Sequence, residues 1–260
     1  MSNSLRNVEK YFIYDFETTN LPTGVDCLRD ENGEKLLNED STPKIGYTGV
    51  LDNLVGIHQL SGYIVAIEDK VPIVKEEFDY HIKPFEGALI NDKSLEIAGV
   101  TKEDLEAYTP EGQVFQEFID MLKKYVDPFD TRDKFTPVGY NNGNFDDKLM
   151  YWFFQRNKAS DGRGGYRTFG KGNFFFKGMS IDLIHIYSAL AGPYRQFMPN
   201  FKLAAISEMF LPQDENTNFH DAAYDVKVTK DLFLEFFPLM QSFRQAHKET
   251  ILKILHKEQK

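Results

Sequence analysis

Cysteine, basic charge and long apolar runs are what this chain of 260 residues has little of, and each shortage narrows its function. One cysteine, Cys27, cannot close an internal disulfide, and no His or Cys neighbours it at metal-site spacing. A disulfide-stapled or zinc-knuckle protein is excluded, and a reducing compartment, the cytoplasm, is expected. No stretch reaches the roughly 18 apolar residues that a membrane span needs, and the polar start Met1-Ser-Asn-Ser-Leu-Arg6 is not a signal peptide. Lys and Arg number 30 against 40 Asp and Glu, a formal net charge of −10. That balance argues against a general nucleic-acid coat protein, which relies on Lys and Arg to neutralise phosphates. It leaves room for an enzyme that holds a short strand through metal ions and a local basic patch.

What is present is the composition of a soluble globular protein, 42% hydrophobic and 27% charged. The length suits a single domain over 1–260 with insertions. Aromatics reach 14%, with 23 Phe and 13 Tyr, so a Phe-rich core is expected, with some rings left for stacking.

The chain is organised around Tyr11-Phe-Ile-Tyr-Asp-Phe-Glu-Thr-Thr19. An apolar, aromatic run of this kind forms a buried strand, yet it ends in Asp15 and Glu17. Strand residues two apart face the same way, so the two carboxylates project together. They raise one another's pKa unless something positive lies between them, and a hard divalent cation such as Mg²⁺ is the obvious partner. On this spacing alone, an acidic pair on the wet side of an edge strand is the plainer reading, and the residues further along the chain overturn it.

Further along, residues 21–54 are acidic, polar and aperiodic, and read as an insertion loop. Val55–Ile67 and Ile73–Pro84 read as strands joined by a turn at 68–72, continuing an antiparallel meander from the first strand. His58, within the first of these, reads as a satisfied core or edge histidine. Thr101 followed by Asp104 resembles a capping box, with Asp in place of the usual Glu. Val114, Phe115, Phe118, Ile119 and Leu122 mark a helix over 111–125, and 136–140 is a short strand. It leads into Gly139-Tyr-Asn-Asn-Gly-Asn-Phe-Asp-Asp147, a turn opening a helix that runs to Phe154. Asp146 is a candidate third metal-facing acid, although Asp146 and Asp147 could simply offset the helix dipole.

Residues 156–177 mix Arg156, Lys158, Arg163, Arg167, Lys171 and Lys177 with glycines and rings. This second insertion suits a flap that neutralises phosphates and stacks on bases, or a hairpin whose phenylalanines enter the core. Residues 201–210 read as a small helix. Phe219-His-Asp-Ala-Ala-Tyr-Asp-Val226 opens a further helix expected to end at Pro238, with a last C-terminal helix near 239–256. Asp221 is the candidate N-cap there.

Asp15-x-Glu17, Asn142-x-x-Phe145-Asp146 and His220-x-x-x-x-Asp225, in that order, resemble the DEDDh family of 3′→5′ exonucleases. Leu95-Glu-Ile-Ala-Gly-Val-Thr101, Phe201-Lys-Leu and His220-Asp-Ala extend the likeness, which is closest to the nuclease domain of the bacterial exonuclease I group. It runs from about Tyr11 to Pro238, interrupted by the two insertions, and does not include the additional domains that enclose single-stranded DNA in that group.

The resemblance implies a ribonuclease H-like α/β fold: a mixed five-stranded sheet, the first three strands antiparallel, with helices on both faces. It implies hydrolysis of single-stranded DNA from the 3′ end to nucleoside 5′-monophosphates, with RNA or short oligoribonucleotides as the alternative substrate. Two divalent cations, Mg²⁺ with Mn²⁺ as a substitute, sit roughly 3.5–4 Å apart in such a mechanism. By resemblance Asp15, Glu17 and Asp225 hold one ion, Asp15 also faces the second, and Asp146 acts largely through water. His220 would take a proton from water, which an imidazole can do near neutral pH. Thr18, Phe145 and the turn containing Ala98 would approach the terminal nucleotide. The competing class, a retired scaffold that only binds nucleic-acid ends, would be expected to lack one of the four acids or the histidine, and all five are present.

Overall fold

The structure, a computed structural model, describes residues 8–21, 24–27, 34–48, 52–157, 174–212 and 219–257. Strand β1 (Lys10–Thr18) lies inside a sheet and is buried almost throughout. Its alternation sorts the aromatic run onto two faces: Phe12, Tyr14 and Phe16 enter one core, Tyr11 and Ile13 the other. Two further short strands, β2 (Gly24–Cys27) and β3 (Ile45–Thr48), pair antiparallel within the acidic insertion read as a loop. Strands of four residues are too short to show a period.

β4 (Ile57–Glu68) pairs antiparallel with β1, and β5 (Val71–Lys83) antiparallel with β4, giving the expected meander. Asp69 and Lys70 close the β4–β5 hairpin, both with positive φ, 49° and 68°, the two-residue geometry that suits the twist of the strands. Gly62 of β4 is obligatory, because a Cβ there would lie 2.3 Å from the Phe78 ring and 2.5 Å from the Ile13 carbonyl.

After β5 come α1 (Asp92–Ala98) and α2 (Lys102–Ala107). The Thr101–Asp104 capping box forms: Asp104 N–H donates to Thr101 Oγ1 (3.1 Å), and Thr101 N–H to Asp104 Oδ2 (2.9 Å). The two-residue β6 (Thr109–Pro110) adds to β5 in parallel, and α3 (Glu111–Lys123) follows. β7 (Phe135–Gly139) pairs in parallel with β1, α4 (Asp146–Arg156) follows it, and β8 (Ile181–Asp182) pairs in parallel with β7. Among the described residues the main sheet therefore has six strands, in the order β6-β5-β4-β1-β7-β8. The strand beyond the five expected is β6, whose two residues carry no pattern of their own.

Buried residues of α3 and α4 fill the core on one face. On the other lie α5 (Leu183–Ala191), α6 (Leu203–Phe210) and α7 (Ala222–Lys257). The expected break at Pro238, with a separate helix over 239–256, does not occur: α7 is one helix with Pro238 inside it. An internal proline costs about 3 kcal/mol through its missing N–H and its clash. Contacts on both sides of it offset that cost. Phe233 and Phe237 are buried before it and Met240 packs after it. Beyond it, Arg244 makes a two-armed pair with Glu9 (2.8 and 3.0 Å), beside the start of β1.

Candidate active site

Asp15 and Glu17 face the same side of β1, opposite Ser61 and Gln59 of β4. The first turn of α7 brings Asp225 to them. One carboxylate oxygen each from Asp15, Glu17 and Asp225 lie within 4.8 Å of one another. Asp146, the first residue of α4, is buried, and its Oδ1 accepts the N–H of Phe16 at 3.0 Å. The fourth acid is thus tied to the backbone between the first two. His220 adopts a left-handed backbone (φ 76°), and its N–H reaches Asp225 Oδ2 at 3.4 Å. Asp221 takes the capping position, accepting the Ala223 N–H at 3.0 Å.

The turn before α4 separates two acids that the sequence leaves alike. Gly139 has no room for a side chain, since a Cβ would meet Asn142 Cβ at 2.6 Å. Asn141 turns the chain with φ 59° and donates its N–H to Asp182 Oδ1 (2.8 Å). Asp146 lines the cleft, whereas Asp147 is a hub of hydrogen bonds. Asp147 accepts from the Tyr14 hydroxyl, from Ser180 Oγ (2.9 Å) and from Asn142 Nδ2 (3.3 Å). Neither acid is limited to offsetting the helix dipole.

Burial is the main force on the acids' protonation, with mutual repulsion behind it. Desolvation, then the neighbouring Asp146, Asp225 and Glu17, raises Asp15 well above the usual carboxylate range. Desolvation and then Asp225 push Glu17 up to about 8. Burial pushes Asp146 up to about 8 against the opposing Phe16 N–H bond, and Asp225 up to about 7. Asp225 Oδ1 is buried with no hydrogen-bond partner. A converging set of hard oxygen donors, mutually repelled and with one oxygen orphaned, fits a divalent cation of the Mg²⁺ class.

The acids open onto a cleft of about 690 Å³ that is also lined by Thr18, Phe145 and His220. Thr18 is buried and its hydroxyl donates to the Asn20 carbonyl at 2.9 Å. Ala98 ends α1 outside the lining, which on that side consists of Asn91, Lys93, Ser94 and Ile97. Leu21, Asn91, Lys93 and Ser94 lie outside the motifs, and Ile97, Tyr140 and Asn141 stand inside them without a carboxylate or imidazole to single them out as site residues. His58 is buried, as expected, but neither ring nitrogen has a hydrogen-bond partner, and desolvation lowers it to about 4.

Most of the basic Gly/Phe segment, 158–173, lies outside the described residues. Its ends belong to the body of the protein. Arg156 pairs with Glu111 through Nε (2.9 Å) and Nη2 (3.0 Å), and Phe175 and Phe176 are in the core. Among the described residues no helix is long and apolar enough to cross a membrane.

No protein-family model and no curated protein matches the chain. Solved structures share its fold. Exonuclease I superposes with a TM-score of 0.59 at 18% identity, over 92% of this chain and 44% of that one. E. coli exonuclease I, in a zinc-bound complex with single-stranded DNA, gives 0.59 and 18% over 94% and 45%. A 3′-exonuclease that recognises the histone mRNA stem-loop gives 0.56 and 14% over 89% of this chain and 82% of its own. The chain thus spans a little under half the length of exonuclease I. At these identities the likeness establishes a shared ribonuclease H-like fold.

Proposed function

We propose that this chain is a metal-dependent 3′→5′ exonuclease of the DEDDh type, releasing nucleoside 5′-monophosphates from single-stranded DNA. One observation carries the reading: on a fold shared with exonucleases, oxygens of Asp15, Glu17 and Asp225 converge within 4.8 Å. Asp146 and His220 line the same cleft. Asp15, Glu17, Asp146 and Asp225 would hold two divalent cations, Mg²⁺ or in its place Mn²⁺. When bound, such ions neutralise the phosphodiester and make water a better nucleophile at neutral pH.

The chain's own groups do the rest. His220, which lines the cleft, takes the proton of the attacking water. As water oxygen bonds to phosphorus, the bond from phosphorus to the 3′-oxygen of the penultimate nucleotide breaks. That oxygen takes up a proton from solvent water and becomes the new 3′-hydroxyl, and the phosphate departs on the released nucleotide. Thr18, Phe145 and the α1 wall of Lys93, Ser94 and Ile97, which stands in the place expected of Ala98, hold the terminal nucleotide, with Leu21 and Ile97 offering apolar surface to its base. Tethering the Asp146 carboxylate to the Phe16 N–H keeps the fourth acid fixed during turnover. The lone Cys27 accords with a cytoplasmic location.

RNA is the second reading, favoured by one observation. The histone-mRNA 3′-exonuclease matches over 82% of its own length, against 44% for exonuclease I. A 5′-labelled DNA strand and the matching RNA, each incubated with Mg²⁺ or with EDTA, test both. A Mg²⁺-dependent ladder shortening from the 3′ end supports the reaction, and the faster strand identifies the sugar. Intact strands under all conditions would overturn it.

A further inference from the structure

Gln59 stands on β4 directly across from Glu17. Its side chain, 6% exposed, reaches out of the sheet to the start of α7. Nε2 donates to Asp221 Oδ1 at 3.1 Å and to Asp79 Oδ1 at 3.0 Å, while Oε1 accepts the Ala222 N–H at 3.3 Å. The same Asp221 oxygen caps the helix through Ala223 N–H. Asp79 is held in turn by the Ser61 hydroxyl at 2.5 Å. These partners settle the amide's orientation, because a flipped amide would aim its oxygen at two carboxylates and its nitrogen at an N–H donor. The residues it grips, Asp221 and Ala222, lie between His220 and Asp225.

We propose that Gln59 is a positioning residue: its amide docks the first turn of α7 onto β4, and so sets Asp225 and His220 against Asp15 and Glu17. The effect on turnover rests on the exonuclease reading, while the effect on the acid cluster does not. Glutamine is the residue that meets all three partners at once. A carboxylate here would face two others, and an aliphatic side chain would remove one hydrogen bond each from Asp221, Asp79 and the Ala222 N–H.

The test uses the full chain as wild type, Q59E, D221N and the double variant Q59E/D221N. Mn²⁺ affinity is read by electron paramagnetic resonance, cleavage by kcat and KM, and folding by thermal melting. Outer partners of metal ligands are worth about 10–100-fold in affinity or activity. Q59E is therefore expected to weaken Mn²⁺ binding and kcat by at least about 10-fold, with KM for the strand within about twofold. In the double variant the donor and acceptor between positions 59 and 221 are exchanged, although an amide at 221 turned to donate to position 59 gives up its bond to the Ala223 N–H, and the carboxylate at 59 still faces Asp79. It is expected to recover part of the Mn²⁺ affinity that Q59E loses, which a role in packing alone would not produce.

Wild-type affinity in Q59E, or no recovery in the double variant, overturns the proposal. Should Q59E not fold, Q59M removes the same bonds without adding charge. The same loss of Mn²⁺ affinity is expected there, and an unchanged affinity overturns the proposal. A wild type that binds Mn²⁺ but cuts no strand sinks the exonuclease reading alone, and the affinities still decide the role of Gln59. A wild type that binds no Mn²⁺ overturns both.

Discussion

Replacing Glu17 with Gln should stabilise the metal-free protein while removing its response to metal. Glu17 is pushed up to about 8 from its ordinary 4.5, by burial first and by Asp225 next. Between those values the folded state holds a proton that the unfolded chain has released. The stability this proton contributes is full below about pH 4.5 and is lost as pH rises through about 8. At pH 8 the loss amounts to about 4 kcal/mol by linkage, and to roughly 3 once solvent screening at the open cleft is allowed for. Glu17→Gln removes the ionisation. Each kcal/mol moves Tm by about 2–4 °C in a domain near this size, so the variant should melt about 6–12 °C higher in EDTA at pH 8. At pH 5 the difference should shrink to within about 1 kcal/mol, because folded Glu17 is then already protonated. Adding Mg²⁺ at pH 8 should raise the wild-type Tm, since a ligand bound only by the folded state stabilises it, and should move the variant little. Scanning fluorimetry at two pH values, with EDTA or Mg²⁺, reads all of this. An EDTA melt at pH 8 that is unchanged or lowered by Glu17→Gln would refute the picture of a repelling, metal-seeking cluster.

Asp15→Asn and Asp225→Asn should each abolish measurable turnover with folding intact, and normal cleavage by either would remove it from the metal set. His220→Ala should lower kcat by about 10²–10⁴-fold and leave Mn²⁺ affinity close to wild type. A collapse of the melting transition instead would make His220 structural. Asp147→Ala strands the buried Tyr14 hydroxyl and frees Ser180 and Asn142, so a loss of about 2–3 kcal/mol is expected in urea unfolding. A loss within about 0.5 kcal/mol, the size of an ordinary surface substitution, would show that the hub is not needed.

The legible parts of this protein are those written in short periods. Asp15 and Glu17 could be placed on one face because strands alternate, and the buried run before them marks an interior strand. The Thr101–Asp104 box could be read because capping is a contact between residues three apart. What escaped depends on contacts far apart in the chain. Asp146 and Asp147 are neighbours, and which one meets the cleft is decided by where Tyr14 and Ser180 stand to receive the other. Gln59 bonds to a residue 162 positions away, a partnership no local pattern announces. Pro238 misled for a related reason: local propensity ends a helix there, yet Phe237 before it and Arg244 beyond it hold α7 to the same sheet. The basic Gly/Phe segment offered a flap or a core hairpin. The buried Phe175 and Phe176 and the paired Arg156 account for its ends alone.

The most direct test of the account is the identity of the first product. A DNA oligonucleotide labelled in its 3′-terminal nucleotide would be incubated with the protein in Mg²⁺, in EDTA, and with Asp15→Asn. The account expects the label to appear first as a nucleoside 5′-monophosphate, with Mg²⁺ and wild type alone, before any internal fragment forms. Label released as a free nucleoside, within a longer oligonucleotide, or equally well in EDTA would contradict it.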